Sequence, residues 1–174
     1  MDLLKVDEQV SVGGQPSDEE LRELRAEGFG SIVNFRPANE EAGQLDPNEE
    51  GEQVRRLGMA YAHVPTTLKT ISAEVVDQYR KEIRDLPKPI FAHCKSGKRA
   101  GAVVLAQLGV EAKLSAEQID ATADRIKLDE KPELVRFVQE YVAAENSAGR
   151  VRDTISCLTP GTDRAKRLRR RATR

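Results

Sequence analysis

The chain has 174 residues, 39% of them hydrophobic and 33% charged, which is ordinary for a water-soluble globular protein and enough for one domain with a core of its own. Its longest apolar run, Ala100 to Ala106, is too short to span a bilayer, and residues 1–12 mix acids with single aliphatics without building a leader-like stretch, so a cytoplasmic protein with no membrane partner is expected. Two cysteines, Cys94 and Cys157, supply neither a disulfide framework nor a closed zinc site, and both are expected as free thiols.

In chain order, a short strand is predicted over Gln9–Gly13 and is broken by Gly13-Gly14-Gln15-Pro16. Ser17-Asp-Glu-Glu20 then opens a helix as a capping box, with Leu21 and Leu24 on its buried side and Gly28 as its stop. Ser31-Ile-Val-Asn-Phe35 has the length and composition of a buried strand. Residues 36–47 are polar and predict a solvent-facing loop carrying Glu40, Glu41 and Asp46. A helix from Pro47 to Leu57 and a strand near Ala60–Val64 follow.

Ser72 is expected to cap a helix with Val75, Val76, Tyr79, Ile83 and Leu86 on one face, ended by Pro87 and Pro89. Ile90-Phe-Ala-His93 reads as a strand, Cys94–Lys98 as a loop, and Arg99–Leu108 as a helix. Ser115-Ala-Glu-Gln118 is a second capping box, and Pro132 starts a helix with Leu134, Val135, Val138, Tyr141 and Val142 inward. Short apolar strands alternating with helices predict an α/β domain over residues 1–147, a mostly parallel central sheet flanked by helices on both faces.

The segment His93-Cys-Lys-Ser-Gly-Lys-Arg99 carries the chemistry. A strand that runs straight into a loop and a helix N-terminus is an anion-binding arrangement, at the end of the sheet where open α/β folds bind ligands. Gly97 permits the tight turn, the backbone N–H groups of Lys95, Ser96, Gly97 and Lys98 can converge as a nest, and Arg99 offers a planar fork to a tetrahedral oxyanion. The helix dipole with Lys95, Lys98 and Arg99 favours a thiolate at Cys94, the nucleophilic form. His93 either tunes that thiolate or simply ends the strand.

These pieces resemble a known family, the bacterial phosphatase-like domain found alone or fused to beta-lactamase-like hydrolases and related to dual-specificity protein phosphatases. The likeness spans about residues 9–110 and rests on Gly14-Gln-Pro-Ser17, on Gly28 with Val33-Asn-Phe-Arg-Pro37 and a following Glu, on Tyr61–Pro65, and on His93-Cys-x-Ser-Gly-x-Arg99. It implies the cysteine-phosphatase fold, Cys94 as nucleophile and Arg99 with the loop backbone as phosphate binder. The implied substrate is a phosphorylated protein or small molecule, with no metal and no cofactor. Arg36 resembles an arginine that the family places near the active loop, where a carboxylate such as Glu40 orients it; a structural ion pair is the alternative.

Three departures from the phosphatase pattern stand out. Only four residues separate Cys94 from Arg99, against five in typical tyrosine phosphatases; the shorter spacing is shared with this bacterial family and with rhodanese sulfurtransferases. Ala100 stands where phosphatases carry Ser or Thr. No Asp precedes the nucleophile by about thirty residues; His63-Val-Pro-Thr-Thr67 stands there instead, which makes His63 a candidate acid or a strand-end residue. Two alternatives therefore accompany the phosphatase: a sulfurtransferase using a Cys94 persulfide, and a non-catalytic anion-binding module. Residues 148–174 hold 9 Lys/Arg against 2 acids, leaving 19 against 27 in residues 1–147, so a basic and flexible tail is expected after a body of net charge about −8. A solvated tail is favoured over nucleic-acid binding, and Cys157 within it is expected as an exposed thiol.

Overall fold

The computed structural model describes residues 2–158. Five strands, β1 (Leu4–Lys5), β2 (Val10–Gly13), β3 (Ser31–Asn34), β4 (Ala60–His63) and β5 (Ile90–His93), form one sheet in the order β1-β2-β5-β3-β4. All neighbours are parallel except β1, which runs antiparallel to β2. Parallel strands covered on both faces read as continuous apolar runs, and β2, β3 and β5 are buried along their whole length.

Because successive side chains of a strand point to opposite faces, each strand feeds two cores. Ile32 and Phe91 pack with Leu21 and Leu24 of helix α1 (Asp18–Ala26) and Val54 of α2 (Pro47–Arg56). Val33 and Ala92 pack on the other face, with Val76 and Tyr79 of α3 (Ala73–Glu82) and with helices α4 (Lys98–Glu111), α5 (Ala116–Arg125) and α6 (Pro132–Leu158). Helix α4 is central: every residue from Arg99 to Gln107 is buried, as expected of a helix that is apolar nearly all round. Gly109 lets α6 approach, since a Cβ there would stand 2.6 Å from a Val142 methyl.

Both capping boxes form, at Ser17/Glu20 and Ser115/Gln118. Three local readings need correction. Ser72 occupies the N-cap of α3, but its side chain makes no cap hydrogen bond. Helix α4 starts one residue before Arg99 and continues past Leu108 to Glu111, since nothing in Gly109-Val-Glu stops it. The strand β1 is an addition at the sheet edge. Helix α6 continues through Ser147 to Leu158; the expectations for the rest of the basic tail and for the Cys157 side chain lie outside the described residues. No helix among the described residues is long and apolar enough to cross a membrane.

Candidate active site

β5 lies between β2 and β3, so the loop that follows it emerges at the carboxyl ends of three parallel strands. Neighbouring backbone holds that loop: Phe35 N–H donates to the His93 carbonyl at 2.9 Å, Cys94 N–H to the Gly13 carbonyl at 3.4 Å, and Gln15 N–H to the Lys95 carbonyl at 3.4 Å. Gly14 and Ser96 form an isolated bridge. Gly97 caps α4 with φ +84°, a left-handed conformation, and a Cβ on it would lie 3.2 Å from the backbone of Gly13. Glycine is required there twice over, by conformation and by space. The first intrahelical bond runs from Gly101 N–H to the Gly97 carbonyl at 2.7 Å, which leaves the first-turn amides of Lys98, Arg99 and Ala100 without helical partners and available to an anion.

Cys94 sits beneath this loop with 1% of its surface exposed. Arg99, two residues into α4, is itself buried at 5% exposure. Its guanidinium is fixed from two sides: Nη1 donates to the Thr66 carbonyl at 2.5 Å, and Nη2 meets Oε1 of Glu40 at 2.6 Å. Glu40 is shared. Its other oxygen accepts from Nε of Arg36 at 2.9 Å, while Nη2 of Arg36 donates to Glu41 at 2.8 Å and Nη1 to Oε1 of Gln15 at 3.2 Å. Glu41 in turn pairs with Lys95 at 2.5 Å. Burial works to raise the Glu40 carboxyl, but Arg99 and Arg36 outweigh it and hold the group below the usual carboxylate range. Lys95 and Arg36 lower Glu41 likewise.

Residues 38–43 are exposed, as expected of a solvent-facing loop, but the carboxylates of Glu40 and Glu41 turn inward to the cations of the active loop, the Glu40 side chain being 23% exposed. Asp46, the third acid named there, instead caps α2 by accepting from Asn48 N–H at 2.8 Å.

Behind the loop lies a buried polar network that the sequence did not disclose. The carboxylate of Glu50, 1% exposed on the inner face of α2, accepts from Gln15 at 2.6 Å, Asn34 at 2.5 Å and the Tyr61 hydroxyl at 2.9 Å. Nε2 of His93 approaches it to 3.2 Å, a charge contact outside hydrogen-bond geometry, and Nδ1 of His93 has no hydrogen-bond partner. Burial acts to raise Glu50, but its contacts with His93, Tyr61 and Gln15 prevail and keep the carboxyl low. Gln15 therefore links Glu50 to Arg36, and Arg36 links through Glu40 to Arg99. One signal for Glu50 was available: with Pro47, Gly51 and Val54 it lies on the buried face of α2, and an acid on the apolar face of an amphipathic helix needs buried donors.

The remaining expected residues divide. His93, Cys94, Lys95, Ser96, Gly97 and Arg99 come together at the loop, with Arg36 beside them. The side chain of Lys98, which lines the pocket, is engaged there by donating to the Lys127 carbonyl and pairing with Glu130 at 2.8 Å. Nε2 of His63 lies 2.7 Å from the Arg36 carbonyl, the place of a strand-end residue that steadies Arg36. A pocket of about 470 Å³ opens over the loop, lined by Glu40, Thr67, Leu68, Lys69, Lys95, Ser96, Lys98, Arg99 and Lys131. Among the described residues no group of three or more His, Cys, Asp or Glu is positioned to hold a metal ion.

A buried cysteine at the end of a central parallel strand, and a buried arginine in the first turn of the next helix, define a phosphatase-like α/β domain of the protein tyrosine phosphatase fold. The family described as beta-lactamase hydrolase-like protein, phosphatase-like domain, matches residues 2–128, and the chain belongs to that family. A beta-lactamase hydrolase-like protein of Agrobacterium fabrum is 34% identical over 100 residues, which is 58% of this chain and 23% of that protein. The chain spans about a quarter of the length of the curated relatives it matches. Among solved structures, the nma1982 protein of Neisseria meningitidis shares the fold with TM-score 0.71 at 22% identity, covering 81% of this chain and 99% of that one. Tk-PTP in its active form shares it with TM-score 0.58 at 21% identity, covering 79% and 96%.

Proposed function

We propose that the domain is a cysteine-dependent phosphatase that hydrolyses phosphate monoesters through a cysteinyl-phosphate intermediate. The observation that carries the reading is the buried Arg99 guanidinium, fixed by Thr66 and Glu40 in the first turn of α4, on the same short loop as Cys94. A planar fork held in this way, together with unpartnered helix amides, fits the three oxygens of a phosphoryl group. Sγ of Cys94, as thiolate, forms a bond to phosphorus while the ester P–O bond breaks; the leaving oxygen departs with the bonding pair and takes a proton from water. Water then attacks phosphorus, the S–P bond breaks, and inorganic phosphate and the thiolate are released. The backbone of Lys95, Ser96, Gly97 and Lys98 with Arg99 binds the non-bridging oxygens throughout, while His93 and Arg36 support the loop from behind.

The sulfurtransferase reading has one specific support. Among the described residues Glu40 is the only carboxylate lining the pocket, and Arg99 and Arg36 hold it below the usual carboxylate range, so none of them stands ready to protonate a leaving alkoxide. Transfer of sulfane sulfur needs none: Cys94 would take the outer sulfur of thiosulfate as a persulfide, releasing sulfite, and pass it to a nucleophile such as cyanide. Paired assays separate the readings. Release of phosphate from an aryl phosphate, lost in Cys94→Ser, supports the phosphatase. Thiocyanate formation without phosphate release supports sulfur transfer instead, and neither activity leaves an anion-binding module.

A further inference from the structure

The pocket over the active loop is lined by cations out of keeping with the rest of the molecule. Residues 1–147 are net negative by about 8 charges, and a surface of that sign repels phosphates. At the mouth, however, Lys69, Lys95, Lys98, Lys131 and Arg99 stand against the single carboxylate of Glu40. Three of these cations are already engaged: Lys95 with Glu41, Lys98 with Glu130 and Arg99 with Glu40. Lys69 and Lys131 are exposed and make no ion pair among the described residues. They reach the same pocket from unconnected segments, the stretch between β4 and α3 and the turn before α6. Leu68, 53% exposed and one of two exposed large hydrophobic residues among those described, lines the same pocket.

From this arrangement we infer that the substrate is a small bisphosphorylated molecule: one phosphate enters the Cys94 loop, Lys69 and Lys131 hold the second, and Leu68 covers the carbon scaffold between them. The inference rests on the phosphatase reading above and specifies its substrate class. A monophosphate in the Cys94 loop would leave Lys69 and Lys131 at the pocket without a phosphate partner. The pocket volume of about 470 Å³ has room for a sugar bisphosphate. Leu68 next to lysines suits the C–H face of a sugar or polyol carrying phosphates at both ends.

Binding and turnover test the two readings separately. Calorimetric titration of Cys94→Ser, which keeps the loop but cannot turn over, compares fructose 1,6-bisphosphate with fructose 6-phosphate. The bisphosphate is expected to bind about tenfold more tightly or better, the worth of one charge-assisted contact. Adding Lys69→Gln and Lys131→Gln should bring it down to the monophosphate value and leave the monophosphate unchanged. Equal affinities, failure of both sugars to bind, or a preference that survives the double lysine change would overturn the inference. A bisphosphate preference alongside a native enzyme that releases no phosphate from aryl phosphate or bisphosphate would overturn the phosphatase reading instead, and with it the identification of the bound molecule as substrate.

Discussion

Glu40 and Arg99 meet at 2.6 Å, and the same carboxylate reaches Arg36 at 2.9 Å. A single loop side chain therefore joins the two arginines, and together with the Thr66 carbonyl it sets the plane of the Arg99 guanidinium. Guanidinium has five N–H donors, and the bonds to Thr66 and Glu40 use two of them, leaving the others for phosphate. Replacing Glu40 by Gln removes an orienting charge-assisted contact worth about 1.5–3 kcal/mol. The expected result is a fall of about tenfold or more in kcat/KM for an aryl phosphate, with an unchanged circular dichroism spectrum. A gain in activity would mean that Glu40 competes with substrate for Arg99 and would reverse the assignment.

Gly97→Ala should damage the loop before it damages the fold. The left-handed φ of +84° costs a non-glycine residue about 1–2 kcal/mol, and the new methyl would press on Gly13 backbone 3.2 Å away. Neither strand end can yield without moving the Cys94 amide, which is bonded to the Gly13 carbonyl. Thermal melting should drop by about 3–8 °C, whereas inhibition by inorganic phosphate should weaken far more than that modest loss implies. Unaltered phosphate inhibition would show that the amides do not line the anion position.

Truncation of Glu50 is the most severe change predicted. Glu50→Ala strands the donors of Gln15, Asn34 and Tyr61 in a buried site and should cost about 3–5 kcal/mol in urea unfolding. Glu50→Gln keeps the shape and should cost less. Because Gln15 passes the contact on to Arg36, the Gln variant should also lose activity at pH 7 while still folded. Full activity in a folded Glu50→Gln protein would confine this network to a stabilising role.

The same carboxylates set the response to acid. Glu40 and Glu50 both titrate below the 4.5 of an unpaired Glu, so between that value and their own lower ones the unfolded chain binds more protons than the native one. Their contribution is fully present above pH 4.5 and is lost as the pH falls through the depressed native values. Urea midpoints should therefore be nearly flat from pH 7 to about 5 and decline below about 4.5, with a shallower decline in Glu50→Gln. An identical slope in that variant would show that Glu50 does not carry the effect.

Ala100, in the first turn of α4, yields a kinetic prediction. In phosphatases the hydroxyl at this position helps the thiolate leave, and the buried methyl of Ala100 offers none. Rapid-mixing assays of the native enzyme should show a burst of phenol from an aryl phosphate, followed by slower steady turnover. Ala100→Ser should shrink the burst relative to the steady rate, at a stability cost of about 1–3 kcal/mol for a buried hydroxyl. A native enzyme with no burst would place the slow step before the intermediate.

What could be read from the sequence was what local chemistry writes down. Ile90-Phe-Ala-His93 has a strand's composition, Gly97 marks a turn, and Ser17/Glu20 and Ser115/Gln118 spell caps in adjacent letters. The loop and its candidate nucleophile followed from these. The Arg36–Glu40 pair was expected from the family resemblance, but the reach of Glu40 to Arg99 and of Glu41 to Lys95 was not, because acids in a polar loop look alike whether they meet water or a distant cation. Glu50 stayed hidden for a related reason: its partners come from β3, β4, β5 and the turn after β2, and only the folded sheet brings them to one point. The two-residue β1 is too short to show any alternation and exists through its pairing with β2.

The burial of α4 from Arg99 to Gln107 also decides how the site comes apart. Its first turn carries the amides that the proposed function assigns to the phosphate and its body is the centre of the larger core, so the loop cannot fray separately from the domain. The hydrogen-bonded backbone amides of α4 from Gly101 to Gln107 should exchange with deuterium only through global unfolding. Enzyme activity and the near-ultraviolet signal of the buried Tyr79 should then disappear over the same range of denaturant, with no inactive but folded species in between.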